Sequence, residues 1–159
     1  MCGRRPLRGS IAAILLCVAL STGCAPGTPD GDSWRIDAQR AVADAASSVH
    51  TVELALRLKT EGRVFDRYLQ TVLVEAEKAV GVASDSIGSE QPPRTERERY
   101  DAVASQLEDA AGLVSTVRIA VVDREDERYA ALADRLADAG DALLRLEDDL
   151  QHPPASNRA

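Results

Sequence analysis

A chain of 159 residues carrying 26 acidic and 19 basic side chains, with a formal charge of -7, has room for one domain. Its acidity excludes attachment to nucleic acid or to anionic lipid headgroups through a basic face. The composition is 45% hydrophobic but only 3% aromatic, so a core has to be assembled from Ala, Leu and Val, which favours close-packed helices over sheets.

Met1 to Arg8 is a short basic segment, and Ile11 to Leu20 (IAAILLCVAL) is an unbroken apolar run followed by Ser21, Thr22, Gly23 and Cys24. This is the three-part layout of a secretory signal. The apolar run covers ten residues, whereas a helix needs roughly 20 to cross the hydrocarbon core, so the segment reads as a signal and not as a span. The piece Leu20-Ser21-Thr22-Gly23-Cys24 resembles the lipobox of bacterial lipoproteins, in which a small residue precedes a cysteine that receives diacylglycerol before cleavage. Gly23 and Thr22 match that pattern. The aliphatic residue preferred three places before the cysteine is here Ser21, with Leu20 one place earlier.

The resemblance implies a signal peptide over 1–23, lipid on Cys24, and anchoring at the extracytoplasmic face of the cell membrane. Cysteine arithmetic agrees, because Cys2 and Cys17 depart with the signal and leave Cys24 without a disulfide partner. The alternative is an ordinary thiol behind a conventional signal-peptidase site. One acyl chain holds a protein only marginally, at about 0.8 kcal/mol per buried CH₂, while two make a stable anchor. Removal of the signal also takes Arg4, Arg5 and Arg8 and no acid, leaving -10 on the remainder. Only Lys59 and Lys78 among the 19 basic residues are lysine, and this Arg-, Ala- and Asp-rich usage is similar to that of high-GC bacteria such as actinobacteria.

Residues 25–32 (APGTPDGD) contain two Pro, two Gly and two Asp and predict, with Cys24, a flexible tether over 24–32. From Ser33 the apolar residues recur in steps of three and four, the signature of helices with one buried stripe. The first stripe is Ala38, Val42, Ala45, Val49, Val52 and Leu56. The second is Phe65, Leu69, Val72, Ala76, Ala79 and Ala83, widened by Val80 and Ile87. The third runs Tyr100, Val103, Leu107, Ala110, Val114, Val117 and Val121, and the fourth Tyr129, Leu132, Leu136, Ala139, Leu143, Leu146 and Leu150. Alternation at period two is absent, which excludes a sheet.

Gly62 supplies a helix stop between the first two stripes, and Pro92 and Pro93 separate the second from the third. Thr95 and Glu98 have the spacing of a capping box for the third helix. The break at 123–128 has neither Gly nor Pro and rests on Asp123 as an N-cap. The expected fold is an antiparallel up-down-up-down four-helix bundle over 33–151, with a disordered tail at 152–159. A long helical hairpin or a three-helix coiled coil is the alternative, in which 95–151 is one helix and dimerisation covers its stripe. Gly81, Gly112 and Gly140 fall inside helices, either as points of close backbone approach or as tolerated surface positions.

The inventory for chemistry is short. Beyond the signal only His50 and His152 are present, and His50 with Glu53 gives one H-x-x-E against the repeated E-x-x-H of di-iron bundles. No metal site, cofactor or catalytic residue is therefore expected, and no serine lies in a nucleophile-elbow context. The carboxylates of the last two helices alternate with Arg and read as a solvated face. Trp34, Ile36, Val64, Tyr68 and Val74 stand beside the stripes and either widen the core or mark a partner surface. The sequence thus predicts a non-enzymatic interaction or scaffold module that binds another envelope protein or itself. The alternative is a small-ligand or metal sensor of the cell envelope.

Overall fold

The computed structural model describes residues 31–152, and every regular element within them is helical. Four helices follow in order: α1 (Gly31–Thr60), α2 (Asp66–Gly88), α3 (Arg97–Val122) and α4 (Tyr129–Gln151). Single 3-10 turns, Arg94–Glu96 and Asp126–Arg128, lead into the last two. The connections are short, so successive helices run antiparallel. α1 packs along α2 and α4, and α3 packs along the same two from the opposite corner. This is the up-down-up-down four-helix bundle that the stripes require. The break near residue 123 is real, and the single long helix over 95–151 is excluded. The lipobox-like residues Leu20 to Cys24 and the tail beyond His152 lie outside the described residues.

The stripe of α1 is buried throughout, with Trp34, Ala41, Ala46 and Ala55 added at its edges. α1 also begins two residues before Ser33 and takes in Gly31 and Asp32, which the sequence assigns to the tether. In α2 the buried line is Leu69, Leu73, Ala76, Val80, Ala83 and Ile87, whereas Val72 and Ala79 are only half-buried. The helix turns toward its larger side chains, because each buried Leu or Ile contributes about 1.5–3 kcal/mol and Ala much less. Phe65, expected to head that stripe, is instead the N-cap residue of α2 and is 85% exposed. α3 and α4 bury the predicted sets, with Tyr100, Ala139 and Leu146 at the margin.

Two of the turns are built alike. After α1, Gly62 has φ 70°, its N–H donates to the Lys59 carbonyl, and the Arg63 N–H donates to Leu58. After α3, Arg124 takes φ 58°, its N–H donates to Val121, and the Glu125 N–H donates to Ala120. Both are Schellman motifs, with a left-handed residue that satisfies the last carbonyls. Asp123 is accordingly the C-cap of α3, not the N-cap of α4. The Thr95–Glu98 capping box does not form either. Thr95 lies in a 3-10 turn without a side-chain cap, and it is Glu96 that turns inward.

Candidate interaction surface

Three features concentrate polar groups or exposed apolar surface. The first joins α1 to α4. The His50 ring lies directly over buried Gly140, so close that a Cβ there would sit 2.5 Å from Cε1 and Nε2. Its Nδ1 is 3.5 Å from Glu53 Oε2 and its Nε2 3.8 Å from Asp141 Oδ1. Arg57, one turn beyond Glu53, donates to Glu53 at 2.5 Å and to Asp134 at 3.1 Å. These two carboxylates raise the guanidinium pKa further above its ordinary value. The sequence offers Gly140 as a point of close backbone approach or a tolerated surface position; it is buried, and what comes close to it is the half-buried His50 ring rather than another backbone. Glu53 and Asp141 lie on opposite edges of the imidazole, so the three cannot converge on one ion, and no serine hydroxyl bonds the ring among the described residues. The arrangement ties two helices together.

The second feature is the end of the bundle where α1 begins. Trp34 is fully buried and tilted against Tyr100, with centroids 6.4 Å apart. Buried Glu96 accepts from Arg99 at 2.6 Å and faces Arg35 at 3.8 Å. The indole Nε1 and one carboxylate oxygen of Glu90 are buried without a hydrogen-bond partner among the described residues. Burial, and then the neighbouring Asp37 charge, push the Glu90 carboxyl above the usual range. At the other end of the bundle, Lys59 holds Asp66 below the ordinary carboxylate value, and desolvation with the Asp126 hydrogen bond raises Tyr129 to about 12.

The third feature is the outer side of α2. A shallow furrow runs between α1 and α2, floored by Ala41, Ala76, Ala79 and Ala83. Ser48 and Thr51 on one wall and Thr71 on the other donate to carbonyls of their own helices, so their hydroxyl protons are already committed. Val82 lines this furrow and Val74 stands beyond it, and they are 61% and 56% exposed. Arg67, Glu75, Lys78 and Asp85 are exposed as well, Glu75 and Lys78 on the rim of the furrow, and none makes an ion pair among the described residues. Elsewhere the helix seams carry ion pairs, as between Arg118 and Glu77 at 2.7 Å. Of the residues singled out in the sequence, Trp34 widens the core and Val64 is half-buried, while Ile36, Tyr68 and Val74 are exposed. Val82 and the charge order of α2 escape a search for apolar stripes, although the spacing of its charged residues is visible in the sequence.

Among the described residues no cluster of three metal-ligating side chains occurs, and no helix is long and apolar enough to cross a membrane. No family model matches the chain, and no curated protein or solved structure is significantly similar to it.

Proposed function

We propose that the chain is an extracytoplasmic lipoprotein, held to the outer face of the cell membrane through lipid on Cys24, whose helical bundle is a non-enzymatic interaction or scaffold module. The observation that carries the anchoring is the apolar run Ile11–Leu20, preceded by Arg4, Arg5 and Arg8 and followed by Thr22-Gly23-Cys24. The interaction role is supported by apolar side chains left on the outer surface of α2 beside charged groups that the bundle does not use. An exposed helical face with only a shallow furrow beside it suits recognition of another folded surface, whereas small-molecule sites are concave and enclose most of the ligand. Fractionation of cells tests the anchoring. The native chain should sediment with membranes and the Cys24→Ala chain should not; equal sedimentation of the two contradicts the reading.

A further inference from the structure

α2 carries a second stripe. Besides its buried line, Arg67, Thr71, Val74, Lys78, Gly81 and Asp85 recur in steps of four and three on the side away from the core, with Glu75 and Val82 beside them at the rim of the furrow toward α1. Gly81 has nothing within 4 Å of where a Cβ would stand. The bundle therefore gives no reason for a residue that costs a helix interior about 1 kcal/mol relative to Ala. A glycine there lets another helix approach closely between Val74 and Val82.

The order of the charges says which helix. Along the chain they read positive at Arg67, negative at Glu75, positive at Lys78 and negative at Asp85. The pairs 67/85 and 75/78 share nearly the same midpoint, at or just after Ala76. Reversing the direction of α2 about that point exchanges the sign at each of these four positions; the other two acids of the helix, Asp66 and Glu77, are held by Lys59 and Arg118. We propose that a second copy of this chain docks on the outer face of α2, with the two α2 helices antiparallel about a two-fold axis near Ala76. Glu75 then meets Lys78 of the other copy twice, and Arg67 meets its Asp85 twice. A parallel copy superposes like on like. This is the isologous contact that closes a dimer, with flanking charges selecting orientation as they do in paired helices.

The rest of the surface argues for the same face. The exposed charges of α3 and α4 are mostly carboxylates, Asp101, Asp109, Asp134 and Asp138 among them, and this net negative charge would repel a copy, although Ile119, Val122 and Leu144 are also exposed there. The α2 face is locally neutral. A single pair of helices buries less than the roughly 800 Å² per partner of a standard interface, so the contact is weak and transient in free solution. Confinement of anchored copies to one membrane raises their effective concentration. The inference rests on the reading of the bundle as an interaction module and names its partner.

The full chain, expressed in the source bacterium with photoreactive benzoylphenylalanine in place of Val82, tests this. Irradiation should give an adduct of two copies, with the linked peptide within residues 68–78 of the second copy, and none from the same probe at exposed Leu144. Glu75→Lys and Lys78→Glu should each lower the adduct about fivefold, since each turns two attractions into repulsions. The double variant should recover to within about twofold, because swapping both signs restores both pairs. All three substitutions are at solvent-exposed positions, and helix content by circular dichroism should not change. Recovery in the double variant, with the linked peptide unchanged, is the outcome that a self-complementary contact requires. A double variant as weak as the singles, an adduct with a different protein alone, or no adduct overturns the proposal. If the copies do not cross-link but Cys24→Ala still releases the chain from membranes, self-docking fails and the anchored module stands.

Discussion

Replacing Gly140 with alanine sets two terms of opposite sign against each other. In a helix interior the change alone stabilises by about 1 kcal/mol. The new Cβ would stand 2.5 Å from Cε1 and Nε2 of His50 and 2.9 Å from its Cδ2. The ring is flanked by Glu53 and Asp141, so making room means leaving both, and overpacking of this sort costs about 1–3 kcal/mol. The net expectation is a loss of up to about 2 kcal/mol, seen as a lower midpoint in urea unfolding at unchanged slope. Gly112 is the control, since it is exposed with nothing within 4 Å, and Gly112→Ala should gain about 1 kcal/mol. In a His50→Ala background Gly140→Ala should also gain about 1 kcal/mol, giving a coupling of about 1–3 kcal/mol between the two sites. If Gly140→Ala with His50 present stabilises as much as Gly112→Ala, the close packing of α4 against the His50 ring is refuted.

Glu90→Gln should stabilise the bundle near pH 7, with the advantage shrinking as pH falls. The folded state holds the Glu90 proton more tightly than the unfolded chain. The penalty for its charge is therefore complete above the raised pKa and gone below the ordinary value of 4.5. Thermal melts of both proteins across that window check it, and a pH-independent difference would be contrary. Phe65→Asn puts a capping residue at the start of α2 where an 85% exposed ring now makes no cap. Unfolding free energy should rise by about 1 kcal/mol, and a fall would show that the ring is buried in solution. Arg124→Gly should add about 0.5–1 kcal/mol by relieving the left-handed backbone after α3; a lower melting temperature would place the arginine side chain in a stabilising role.

The bundle was legible because its cores are written in large residues at regular spacing. Leu132, Leu136, Leu143 and Leu150 face inward in α4 as their steps require. Where the stripe is made of small residues the reading slips: in α2 the line through Val72 and Ala79 gives way to the one through Leu73 and Val80, which brings Phe65 to the surface. Capping signals were less secure than periodicity. Thr95 and Glu98 have capping-box spacing, but the buried contacts of Glu96 with Arg99 and Arg35 set the start of α3 instead. The turn at Arg124 carried no glycine to announce it. Cross-helix features such as Gly140 beneath His50 depend on register between segments 90 residues apart in sequence, which spacing within a single helix does not encode.

Mass spectrometry of the amino-terminal peptide of the membrane-bound protein tests the anchoring most directly. The mature chain should begin at Cys24, with diacylglycerol on its sulfur. An amino terminus at Met1, or a chain beginning at Cys24 with a free thiol, would contradict the account.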